Sequence, residues 1–214
     1  MRLNINLSEM ITMVRTELRD ETGELWSDEE IARHINRAVG DFSFESPLEC
    51  SEDMATAAGS REIDISGLQD LVKVEAVEYP AGDYPRSYRR FSLWGDRLTI
   101  LGDEVPDGSD CRVYYGKLHT LDETECTVPG RYYELIAAGA TGYAAVSWSV
   151  HSVNRVNVGG KEISESYLRW GRERLDFFRR EIGRLGGRNR VQPARLYSPG
   201  RSTVSRTTDY GPES

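Results

Sequence analysis

Three histidines, three cysteines and one acidic run are the residues of this chain best suited by type to chemistry. None has the company that a known site requires. His34, His119 and His151 lack the local nucleophile or carboxylate pattern that would make one of them a general base, and each reads as a structural or surface histidine. Asp20, Glu21, Glu24, Asp28, Glu29 and Glu30 bring enough carboxylates together to suggest a cation, but their spacing is not that of an EF-hand and its central glycine is missing. They read as a solvated turn, with the later acids favoured by the dipole of a starting helix. Gly159-Gly160-Lys161 has neither the glycine spacing of a phosphate-binding loop nor a Ser or Thr after the lysine, and reads as a helix-helix connection. Cys50, Cys111 and Cys126 are odd in number and far apart, without a Cys-x-x-Cys or a histidine at ligand spacing. Small buried or half-buried thiols are expected, not zinc or a disulfide framework. No cofactor, metal or catalytic activity is expected.

The elements around these residues carry more information. Leu7, Ile11, Val14 and Leu18 recur at helical spacing after a start at Asn6 or Ser8. Ser27-Asp28-Glu29-Glu30 is a capping box, with Trp26 and Ile31 placed as a hydrophobic staple. The helix it opens runs on Ile31, Ile35, Ala38 and Phe42 until Pro47, so the first two helices form an antiparallel hairpin about the turn at Gly23. From about Ser60 the period becomes two, in Arg61 to Ile65 and again in Val72 to Ala76, which predicts strands with one buried face. Phe91 to Trp94 and Arg97 to Ile100 flank Gly95-Asp96, a pair suited to a type II′ turn, and Cys111 to Tyr115 follows. These three strands are expected to form a meander over residues 89 to 116.

Val128 to Val150 contains Ala137, Ala138, Gly139, Ala140, Thr141, Gly142, Ala144, Ala145, Ser147 and Ser149 and has almost no polar face. A helix that is small or apolar all round must be covered all round. Pro129 is expected in its first turn. A fourth helix should bury Ile163, Tyr167, Trp170, Phe177 or Phe178, and Ile182, and fray at Gly183, Gly186 and Gly187. Four divisions follow: a helical hairpin at 1-46, a β subdomain at 47-127, a helical pair at 128-187 and an arm at 188-214. The fold class expected is α+β: a four-helix bundle with an inserted antiparallel β subdomain and an extended C-terminal arm.

The 214 residues suit one globular unit with an insertion, and 38% hydrophobic content suffices for a modest core. There is no uninterrupted apolar run long enough to span a bilayer and no signal-type leader at Met1, so a soluble, unsecreted chain without a membrane role is expected. The net charge is −8. Residues 188 to 214 are +3 and residues 1 to 187 are −11, an acidic body with a basic arm. The arm is too polar and too rich in Pro and Gly to order itself, so it must find a partner or stay solvated.

Leu18 to Glu21 with Trp26 to Ala38, and Val113 to Lys117 leading through Val128-Pro129 into Tyr132-Tyr133-Glu134-Leu135, resemble the head-tail adaptor, or connector, proteins of tailed bacteriophages. The resemblance covers roughly residues 7 to 185, in a form carrying an added β subdomain. It implies a structural virion protein made in the host cytoplasm and placed in the neck at the head-tail junction. The homo-oligomer would be a ring of twelve, docked under the portal protein and joined to a tail or nozzle protein. Double-stranded DNA would pass its channel without specific binding, which an acidic lining favours by denying phosphates their contacts. Under this reading Arg188, Arg190, Arg195, Tyr197, Arg201 and Arg206 form a portal-binding arm. Ala137, Ala140, Gly142, Ala145 and Trp148 are expected to serve subunit packing.

Two other classes compete. A nucleic-acid-binding protein would use the Arg-rich fourth helix and tail and show salt-dependent retention on DNA. A small hydrolase would have to build a pocket from Trp94, Asp96, Tyr114 and Tyr115, which read more simply as turn and cross-strand residues.

Overall fold

A computed structural model describes residues 5–153 and 160–188. Among these residues the chain is α+β, with four α-helices and a six-stranded antiparallel sheet. The helices are α1 (Leu7–Leu18), α2 (Asp28–Glu45), α3 (Tyr133–Val153) and α4 (Gly160–Arg188). The strands are β1 (Leu48–Met54), β2 (Glu62–Asp64), β3 (Leu71–Glu78), β4 (Tyr88–Trp94), β5 (Arg97–Leu101) and β6 (Cys111–Lys117). The expected arm at 188–214 and His151, Ile163 and Gly159 fall wholly or in their side chains outside the described residues.

Both helices of the opening pair start on reciprocal caps. Asn6 accepts from the Glu9 backbone at 2.9 Å while Glu9 accepts from the Asn6 backbone at 3.1 Å, and Ser27 and Glu30 exchange the same bonds at 3.3 and 3.0 Å. Trp26 and Ile31 are both buried, as a staple requires. The connecting turn differs from expectation. Asp20 is 4% exposed rather than solvated, and its carboxylate accepts from the backbone N–H groups of Glu24, Leu25 and Trp26. Arg15 closes this knot, bonding Asp20, the Trp26 carbonyl and Asp28. A short acidic side chain can satisfy several turn donors at once, which sequence spacing does not reveal.

The third helix starts later than expected. Pro129 is extended and precedes a 3-10 turn at Gly130–Tyr132, after which α3 begins. α3 packs against α1, α2 and α4, and its residues 136 to 145 are all buried. Of these, Ile136, Ala137, Ala140 and Ala144 join Met10, Val14, Leu18, Ile31, Ile35, Ala38, Phe42, Phe178 and Ile182 in one apolar cluster. On α4 Gly171, Leu175, Phe178 and Ile182 are buried, while Phe177 is 43% exposed and Tyr167 and Trp170 are half-buried. α4 does not fray at Gly183 but continues through Gly186 and Gly187. Gly186 lies beside Glu45 at the end of α2, where a Cβ would meet the mobile Glu45 carboxylate and stand 3.4 Å from its backbone carbonyl oxygen.

The sheet order is β1-β6-β3-β4-β5-β2. β4 and β5 form the expected hairpin, with Leu93 opposite Leu98 and Trp94 opposite Arg97, and Gly95 alone in its turn has a positive φ, of 54°. The meander does not form. β2 occupies the outer edge of β5, with Ile63 opposite Leu98, and β6 runs instead between β1 and β3. Burying Cys111, Val113 and Tyr115 on one face favours that central place over an edge. Ile63, Ile65, Val77, Leu98, Ile100 and these three residues make a second apolar cluster. The helical and β parts meet at Pro47, which lies against Gly116; a Cβ there would be 2.6 Å from the proline ring. His119 fixes the same joint through Thr127 at 3.1 Å and the Ser46 carbonyl at 3.0 Å, over the ring of Phe42.

Candidate functional site

The small residues of α3 set how near its neighbours come. A Cβ at Gly142 would lie 2.8 Å from Leu175 Cγ and 3.1 Å from the Gly171 carbonyl oxygen, and one at Gly139 would lie 3.0 Å from the Phe178 ring. Gly171 faces Ala145, Val146 and the Gly142 carbonyl in return. Ala137, Ala140, Gly142 and Ala145 are therefore enclosed by the helices of their own chain, and the close packing that they permit is between those helices. Trp148 is half-buried. Its ring centroid lies 4.8 Å from that of Tyr167 and 6.2 Å from that of Trp26, so it closes the end of the helical core.

Polar groups on α3 are tied to neighbouring helices. Arg174 of α4 bonds Glu17 of α1, and Thr141 lies within reach of both. Tyr143 donates to Asp41 of α2, and Arg37 lies 4.1 Å over its ring. Burial, and then the bond to Asp41, raise the Tyr143 hydroxyl above its ordinary range. Two of the arginines that made α4 look basic, Arg174 and Arg184, pair with carboxylates of this chain.

In the sheet, Glu78 is fully buried and accepts from Tyr114 at 2.6 Å and from the Gly82 backbone at 3.0 Å. Tyr79 donates to Asp107, holding its carboxyl down at about 2. Both contacts pin loops to the sheet. Trp94 is 89% exposed at the hairpin tip, while Tyr114 bonds Glu78 and the neighbouring Tyr115 belongs to the apolar cluster. Trp94, Asp96, Tyr114 and Tyr115 do not form one pocket. Cys111 is buried, and desolvation pushes its thiol up to about 11, away from the reactive thiolate; Cys50 and Cys126 are half-buried and all three are free. Among the described residues no group of three potential ligands could hold a metal ion, and no helix is long and apolar enough to cross a membrane.

Each built feature thus joins elements instead of presenting reactive groups. The pattern of one protein family, described as SU10 adaptor protein, matches residues 5–202. The chain belongs to that family. It is a phage head-tail adaptor family, and the role that it gives this adaptor is structural. The matched residues span both the helical core and the sheet. Among curated proteins no relative matches the chain. The helical cap, the staple and the small-residue helix were visible in sequence. The Asp20 knot, the Glu78 site and the Glu17–Arg174 pair were not, because each depends on partners that only the fold brings together.

Proposed function

We propose that the chain is one subunit of a head-tail adaptor ring of twelve, docked under the portal protein in the virion neck and joined below to a tail or nozzle protein. The match to a phage adaptor family along residues 5–202 carries this reading. The four small residues of α3 act from inside the subunit, setting the spacing of helices whose outer faces meet neighbouring copies. The −11 body suits a channel wall along which DNA slides without sticking, and the +3 segment from Arg188 suits an acidic portal surface. Arg188, Arg190, Arg195, Arg201 and Arg206 would pair with portal carboxylates, with Tyr197 adding apolar contact area. Division of labour follows the four segments: the helical parts at 1-46 and 128-187 form the ring, the β subdomain at 47-127 faces the tail, and 188-214 reaches the portal.

Cryo-electron microscopy of the chain mixed with its portal tests this reading. A closed ring of twelve beneath the portal, with acidic side chains toward the axis, is the expected result. A chain that stays monomeric beside the portal but is retained on DNA in a salt-dependent way would overturn it.

A further inference from the structure

α1 and α4 both flank α3, but on one side they leave a cleft of about 610 Å³ between them. Its floor is Leu135 and Ala138 of α3, and its walls carry Met13, Phe177 and Leu185. On this side Leu135 is half-buried. The Glu17–Arg174 pair shuts one end. The opposite end reaches Leu185, three residues before the last described residue of α4. Phe177 is 43% exposed there, and Glu134 on the rim has no ion-pair partner among the described residues. The lining has one more acid than base.

We propose that this cleft seats the root of the chain's own C-terminal segment, residues 189–197. Length, position and chemistry agree. From Arg174 to Leu185 the α4 wall runs about 16 Å at 1.5 Å per residue, whereas nine extended residues reach about 30 Å, enough to turn after α4 and run back along it. Val191, Leu196 and Tyr197 supply apolar side chains, and Arg190 and Arg195 supply positive charge for Glu134, Glu181 being already paired with Arg184. A segment tethered at the mouth of its own cleft has an effective concentration on the order of millimolar, which favours it over a free competitor. The family pattern also continues past Arg188 to residue 202, so this stretch belongs to the adaptor unit. The seat would aim residues 198–214 away from the body. It belongs to the free chain and does not depend on ring formation; on the portal, Arg190, Arg195 and Tyr197 would leave the seat for the contacts proposed above.

The test uses the full-length chain without portal, with Tyr197 replaced by the photoreactive analogue benzoylphenylalanine. Illumination followed by peptide mapping should place the cross-links on Met13, Leu135 or Phe177. In an equal mixture of heavy-isotope-labelled and unlabelled chains they should remain within one chain. Phe177→Glu should lower the yield at least about fivefold, since it places a charge in the apolar part of the seat. Should that variant melt early, Glu134→Arg on the exposed rim serves instead and should lower the yield about threefold. Cross-links scattered over the body, cross-links between chains, or yields unchanged in a folded variant would each overturn the seat. Portal docking is not involved, so this result and that of the ring experiment stand apart.

Discussion

Gly142→Ala and Gly40→Ala make the same chemical change in two helices and should shift stability in opposite directions. Removing a mid-helix glycine favours the helix by about 1 kcal/mol, through backbone entropy and propensity. At Gly40 of α2 a new Cβ meets nothing within 4 Å, so that gain should appear almost whole. At Gly142 the Cβ would be 2.8 Å from Leu175 and 3.1 Å from the Gly171 carbonyl. Leu175 can change rotamer, but the carbonyl belongs to the α4 backbone and can give way only if the helices separate. Overpacking of this kind costs about 1–3 kcal/mol, leaving a net loss of up to about 2 kcal/mol. One kcal/mol moves the midpoint by about 2–4 °C for a chain of this size. Urea titration and thermal melts of the three proteins should therefore rank Gly40→Ala above the parent and Gly142→Ala below it. If Gly142→Ala is stabilised as much as Gly40→Ala, the α3–α4 crossing is not as close as the glycines require.

Three further outcomes follow from the same geometry. Asp20→Ala leaves three backbone donors of the α1–α2 turn without their acceptor and should lower stability by about 3 kcal/mol in urea titration, more than any exposed acid of the same run. Burial lowers the pKa of His119 and His34 below the ordinary 6.5, so the unfolded chain binds more protons; this stability is complete above about pH 7 and drains away as pH falls through 6.5. Replacing both by Gln should flatten the melting temperature between pH 7 and 5.5, whereas the loss below about pH 4, from lowered carboxylates such as Asp53, Asp64 and Asp122, should remain. Ala140→Leu, at a fully buried site, should cost about 1–3 kcal/mol or more and impair ring formation through distorted subunits, as analytical ultracentrifugation would show.

Sequence made the helices legible because their signals are local. A capping box at Ser27 and a run of small residues from Ala137 need no knowledge of partners, and both were found where expected. β1 was not anticipated, since Leu48 to Met54 has acids at Glu49, Glu52 and Asp53 and no clear alternation. Its identity as a strand comes from pairing with β6, as in the Asp53–Arg112 bond at 2.6 Å. β6 was put beside β5 because neighbours in sequence often pair, but β2 already holds that edge. α4 continues through Gly183, Gly186 and Gly187 because its packing against α2 and α3 outweighs propensity. The candidate docking surface shows the same limit: Phe177 and Phe178 were interchangeable in sequence, and only the fold puts one in the core and the other in the cleft.

Retention on portal rings tests the adaptor account most directly. The full-length chain and one ending at Arg188 should be mixed with purified portal, sedimented, and quantified over a range of salt concentrations. The full-length chain should sediment with the portal, less so as salt rises and its arginine pairs are screened, and the shortened chain should remain in the supernatant as a folded protein. Equal retention of both chains would move docking to the helical body, and no retention of either would contradict the adaptor assignment at its centre.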